Sequence, residues 1–165
     1  MGTRRNPVST AVAGEAIARL AAGLRTGDPA ELLCGAWLGA SSFAVAGSGL
    51  HHKLCHVLGG TFGLPHARTH AVVLPHVLAF NAPGAPEAVA RVARALGTDD
   101  AVSGLRALAD EHGIPHGLRA LGMPEDGIDK AAELTAPAVP DDNPVPVGDG
   151  ALLGLVRAAW SGADR

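Results

Sequence analysis

The sequence holds no tyrosine, and its aromatic residues amount to two tryptophans and three phenylalanines. A core of ordinary density must then come from Leu, Val and Ala, which suits helices that approach one another closely. Cysteine is scarce too. Cys34 and Cys55 form neither a disulfide framework nor a zinc-type spacing, and read as reduced core thiols of a cytoplasmic protein. No stretch of about 18 apolar residues occurs, so no membrane span is expected. In MGTRRNPVSTAVAGEAIARL, Glu15 and Arg19 interrupt the apolar run, and no export signal is read there. The formal net charge is −3 without long runs of either sign, which argues against a nucleic-acid partner. Strand patterns are nearly absent. The nearest, AVVLPHV, contains Pro75 and is expected to be a helix turning into a loop.

The patterns that are present have helical period. Val8, Val12, Ala16, Leu20 and Leu24 share one face, after Asn6-Pro7 as a start signal and before Gly27 as a stop. Asp28-Pro29 opens a second helix whose stripe is Leu33, Ala36, Trp37, Ala40 and Phe43. Later helices are expected after Pro86, over about 99–111, briefly after Pro115, after Pro124, and around Leu152, Val156, Ala159 and Trp160. The proline-rich 135–150 reads as a surface connection. The fold class is therefore all-α: a bundle of about seven or eight helices, forming one domain over residues 1–165.

Against this plain background, GLHHKLCHVLGGTFGLPHARTHAVVLPH at 49–76 holds six of the eight histidines: His51, His52, His56, His66, His70 and His76. His52 and His56 are four apart, as are His66 and His70, so each pair shares a helix face. A glycine-rich turn with Gly59, Gly60 and Gly63 can bring the two pairs together. Imidazole is the side chain suited to proton transfer near neutral pH and a common ligand of divalent transition metals. His112 and His116, isolated in EHGIPHG, read as ordinary histidines.

The segment GLHHKLCHVLGGTFGLPHARTHAVVLPHVLAFN resembles the signature of the iron-containing alcohol dehydrogenase superfamily, and within it the maleylacetate reductases. The resemblance extends to Asn6-Pro7, GAWLGA at 35–40, LGMPEDGIDKAAEL at 121–134 and Asn143-Pro144 with the final tryptophan helix. It implies the C-terminal all-helical domain of iron-containing alcohol dehydrogenase and dehydroquinate synthase-like proteins, without their Rossmann-like N-terminal domain. In the metal-dependent members an Asp and a His four apart join two signature histidines, whose positions here are His52 and His66. His56 matches a residue near the nicotinamide.

Departures from the family pattern shape the functional expectation. MGTRR, before Asn6, lacks the Asp-x-x-x-His pair, and no such pair occurs elsewhere. Two imidazoles leave a divalent metal short of ligands, so no tight metal is expected, and at most weak binding. Gly47-Ser48-Gly49 has no strand–loop–helix context, so no cofactor-binding residues are assigned; NAD(P)H would need a partner chain. Arg68 stands where the reductases commonly carry an acidic residue, and Val145 where they carry Arg. The preferred expectation is a stand-alone non-redox enzyme, possible in a biosynthetic pathway, performing dehydration, isomerisation, lyase chemistry or cyclisation on a small unsaturated ketone or carboxylic acid. His52, His56 and His66 would be catalytic, with His51, Arg68, His70 and His76 binding substrate. The alternatives are the helical substrate subunit of a split NAD(P)H-dependent reductase, and a non-catalytic binding or assembly protein. A partner subunit or a second copy is expected to cover the face left by the absent domain.

Overall fold

Asn6 starts the first helix by two reciprocal bonds. Its side chain accepts from the Ser9 backbone N–H, and its own N–H donates to the Ser9 hydroxyl, both at 2.9 Å. Pro7, with its pre-set φ, takes the first helical position of α1 (Pro7–Thr26). Asp28 accepts from the Ala30 N–H at 2.8 Å and opens α2 (Pro29–Ala46) in the same manner. The computed structural model describes residues 4–163, apart from the Asp149 side chain. Residues 1–3, which carry part of the N-terminal reading, and residues 164–165 lie outside the described residues.

Helices α1 and α2 form an antiparallel hairpin joined backbone to backbone. A Cβ on Gly35 would sit 2.8 Å from Leu20 Cγ and 2.9 Å from its backbone nitrogen, and Gly23 stands likewise against Leu32. The Ser42 hydroxyl adds a buried bond to the Ser9 carbonyl at 2.9 Å. This close seam reverses the expected orientation of α2. Gly35, Ser42 and Ala46 are buried, while Leu33, Ala36, Trp37, Ala40 and Phe43 all face outward; Leu33 is 74 % and Trp37 67 % exposed. On α1 the expected face holds at Ala16, but Val8 is exposed and Leu24 borders on it. Small residues took the inner positions because only they permit the close approach.

The principal core lies in the rest of the chain. Helix α3 (Leu50–Phe62) runs straight through Gly59 and Gly60, so the expected turn is shorter than its glycines suggested. Gly63 alone makes it, at φ 65°. Helix α4 (His66–Asn81) then continues through Pro75 and does not become a loop there. The missing N–H and ring clash of an internal proline cost about 3 kcal/mol. Burial of Val72, Val73, Val77 and Phe80 on either side of Pro75 offsets that cost, since each large apolar side chain contributes about 1.5–3 kcal/mol.

Leu50, Leu54 and Leu58 of α3 pack with these α4 residues and with two further helices. These are α7 (Gly127–Thr135), through Ile128 and Ala131, and α8 (Asp149–Ser161), through Leu152, Leu155 and Val156. A smaller cluster of Leu78, Ala93 and Ala101 seats α5 (Pro86–Leu96) and α6 (Ala101–Glu111). The 135–150 connection is more than a surface strap. Val139, Val145 and Val147 pack on the core, and Asn143 exchanges amide bonds with buried Asn81 at 2.7 and 3.2 Å. Among the described residues there are eight α-helices, three short 3-10 turns and no strand. No single helix is long and apolar enough to cross a membrane.

Candidate active site

The turn at Gly63 folds α3 against α4 so that both i, i+4 histidine pairs meet. Four rings close a circuit. His52 lies 5.4 Å from His56 between centroids, His56 6.0 Å from His66, His66 4.4 Å from His70, and His70 4.7 Å from His52. His51 stands behind, with its ring 4.9 Å from that of His70 and nearly perpendicular to it. The set grades inward: His56 and His66 are exposed, His51, His52 and His70 half-buried, and Cys55 buried. Phe43 of α2 lies on His52 at 4.6 Å, so the outward apolar stripe of α2 runs into the imidazole group.

Burial sets the protonation of the inner rings. His51 and His70 are each pushed down to about 4, first by desolvation. For His51 a bond to the His70 backbone carbonyl works against the shift; for His70, neighbouring His52, His66 and His56 add to it. His52 is lowered by burial and then by His56, His66 and Lys53. Burial likewise pushes the Cys55 thiol up to about 12. These inner histidines are therefore neutral at pH 7, each with one ring N–H and one lone pair, while the exposed His56 and His66 form the solvent-facing edge.

Two expected site residues stand apart from the circuit. His76, 5 % exposed, bonds through Nε2 to the His116 backbone carbonyl at 3.1 Å. It lies ten residues along α4 from His66, pointing into the contact with the segment before Gly117, and so anchors that segment. Arg68 is exposed on the first turn of α4, two residues from His66. His116 itself bonds Asp110 at 2.6 Å on the surface, and His112 closes α6, in keeping with the ordinary reading of both. Two neighbours escaped the sequence reading. Cys55 was set aside as a core thiol although His51-x-x-x-Cys55 repeats the very spacing used for His52 and His56. Phe43 was assigned to the core stripe, and only its contact with His52 reveals it at the site.

Comparison with known proteins agrees with the all-helical fold. The sequence profile of the Fe-containing alcohol dehydrogenase family, C-terminal domain, matches residues 9–160. The chain belongs to the iron-containing alcohol dehydrogenase family. It is 45 % identical to a maleylacetate reductase of Burkholderia cepacia, over 95 % of this chain and 47 % of that protein. Among solved structures it superposes on an iron-containing alcohol dehydrogenase of Corynebacterium glutamicum with TM-score 0.92 and 47 % identity, covering 99 % of this chain and 48 % of the other. A maleylacetate reductase of Agrobacterium tumefaciens gives TM-score 0.88 at 38 % identity, covering 98 % and 48 %. The chain thus spans about half the length of the relatives it matches, and the matched half is helical and maleylacetate-reductase-like.

The family name implies iron, and the family fold implies a nicotinamide. His52 and His66 offer two imidazoles, but no third His, Cys or carboxylate among the described residues joins that pair within 4.8 Å. Two ligands do not hold a divalent ion in the usual three- or four-ligand protein site. For the nicotinamide, a strand leading into a Gly-rich loop and helix is needed, and the described residues contain no strand. Among the described residues, neither iron at the His52 and His66 positions nor a nicotinamide is fitted by this half alone.

Proposed function

We propose that this chain is the substrate-handling half of a maleylacetate-reductase-type enzyme working in the cytoplasm, with a second, nicotinamide-binding unit covering α2 and the imidazole circuit. One observation carries the reading: the outward stripe Leu33, Trp37 and Phe43 is apolar and runs without a break onto His52. Exposed apolar surface that borders a polar site is what a covering domain leaves behind when it is taken away. The covering unit would belong either to the same polypeptide or to a separate chain. This feature, invisible in the sequence, shifts the preference away from the stand-alone enzyme.

Within such an assembly these residues handle the substrate and its protons. Arg68 pairs with a carboxylate of a small unsaturated keto acid by its two-pronged guanidinium. His56 and His66, at the solvent edge, relay protons, and His52 accepts or donates at the substrate. His51 and His70 form the back wall. The hydride, where one is transferred, comes from the covering unit and not from any group in this chain.

A second reading rests on the fact that His52, His56 and His66 are gathered by this chain alone. In it the chain moves protons on an unsaturated ketone or carboxylate without a redox partner. One experiment separates the two. The purified chain with NAD(P)H and maleylacetate is expected to leave the cofactor unoxidised. Adding the unmatched half of the Burkholderia cepacia relative is expected to give a complex and cofactor oxidation, abolished by His52→Ala or His56→Ala. Failure of the two halves to associate or react sinks the first reading. Isomerisation or dehydration by the chain alone installs the second, and activity indifferent to both substitutions leaves only a binding or assembly role.

A further inference from the structure

We propose that His51, Cys55 and His70 form a zinc-type metal site, set behind the imidazole circuit and sharing no ligand with the family positions His52 and His66. Each of the three offers one ligand atom, and the three atoms lie within 4.8 Å of one another. The arrangement follows from the fold. His51 and Cys55 are one turn apart on α3 and share a face, while α4 brings His70 across to them at the Gly63 turn. The family pair, in contrast, gathers no third ligand among the described residues.

Two features of the site are left unexplained by packing. His70 Nε2 is buried and has no hydrogen-bond partner among the described residues. A buried ring nitrogen without a partner is costly, and a bound ion is one of the few things that satisfies it. His51, on the other side, has its proton fixed. Its Nε2 donates to the His70 backbone carbonyl at 3.1 Å, which leaves the lone pair of the neutral ring on Nδ1. Metal-binding histidines characteristically hold their second ring nitrogen in this way, against a carbonyl or carboxylate.

The donor set selects the ion. Two imidazole nitrogens and one sulfur suit zinc and other borderline-soft divalent ions; magnesium and calcium require oxygen. On binding, the ion replaces the Cys55 thiol proton, which leaves to solvent, and a metal–sulfur bond takes the place of the S–H bond. Three protein ligands leave a fourth tetrahedral position for water or a small anion. The half-buried His51 and His70 give the ion a way in.

The proposal is independent of the enzymatic reading, because it is read from binding in the full chain without turnover. Metal-free protein is titrated with cobalt(II). One equivalent is expected to bind, with intense tetrahedral d–d bands and a thiolate-to-cobalt charge-transfer band in the near ultraviolet, all removed by added zinc. Cys55→Ala should abolish the charge-transfer band, and His70→Gln should weaken binding by about tenfold or more. His52→Ala and His66→Ala should leave the band in place. Circular dichroism checks that each variant keeps its helices. Should Cys55→Ala fail that check, protection of the Cys55 thiol from alkylation by bound zinc in the unaltered chain decides in its place. The proposal is overturned if cobalt does not bind, binds without a thiolate band, keeps that band in folded Cys55→Ala, or is lost in the His52 and His66 variants instead.

Discussion

The α1–α2 hairpin and the α3–α8 body are built on opposite plans. The body buries its large side chains: Leu50, Leu54, Leu58, Leu152, Leu155 and Val156 have at most 1 % of their surface exposed. The hairpin buries glycine, alanine and serine at its seam and turns Leu33 and Trp37 outward. Both regions hold together, but by different means. In the body, stability comes from apolar area removed from water. In the hairpin it comes from close backbone approach and from the buried bond of the Ser42 hydroxyl to the Ser9 carbonyl at 2.9 Å. Leu33, Trp37 and Phe43 are thus apolar surface that this helix does not cover with its own neighbours. The histidines sit where the two plans meet, with Phe43 on His52 as the point of contact.

Substitutions that treat the two regions alike test this contrast. The largest loss is expected for Leu155→Ala in the body, at about 2–5 kcal/mol in urea unfolding, because a fully enclosed side chain leaves a cavity. A loss below about 1 kcal/mol would mean that the body is loosely packed. In the hairpin, Gly35→Val places new atoms against the Leu20 backbone and is expected to cost about 1–3 kcal/mol, by crowding and not by cavity. If Gly35→Val is neutral in urea unfolding, the seam is not closed as described.

Acid should act next, and through the junction. His51 and His70 lie at about 4 when folded against an ordinary value of 6.5, so the unfolded chain takes up protons first. Their share of the stability is complete above about pH 6.5 and is lost as pH falls from there towards about 4. The urea midpoint should therefore drop between pH 7 and pH 4.5, and drop less in His70→Gln. A flat profile over that window would place both rings in water. The smallest effect is expected for Trp37→Asn, within about 0.5 kcal/mol in the chain by itself. The same substitution should weaken association with a covering unit. A large loss of stability without a partner would show that α2 is packed within its own fold.

Much of the architecture was legible in the residues. The Asn6-Pro7 and Asp28-Pro29 starts, the stop at Gly27, and the 3.6-residue period of α8 all mark local energetics that hold wherever the helix packs. The pairing of His52 with His56 and of His66 with His70 belongs with them, since helix geometry alone puts residues four apart on one face. Three points were not legible. Pro75 looked like a stop because the burial that offsets its cost comes from α7, α8 and other partners distant in sequence. The Leu33–Trp37 stripe looked like core because periodicity reveals an apolar face without saying whether the chain itself covers it. Cys55 looked inert because its ligand-like neighbours come from another helix and from a parallel i, i+4 pair.

By itself the sequence determined that the chain is helical, where most helices begin and end, and which imidazoles share a face, for these depend on residues within a few positions of each other. Only the tertiary structure decided which apolar stripe is buried, which histidines form one group, and that His76 leaves them for the His116 carbonyl. Those outcomes depend on which helix lies against which, and that is set by close approach at Gly35, by the left-handed turn at Gly63 and by packing between residues far apart in the chain.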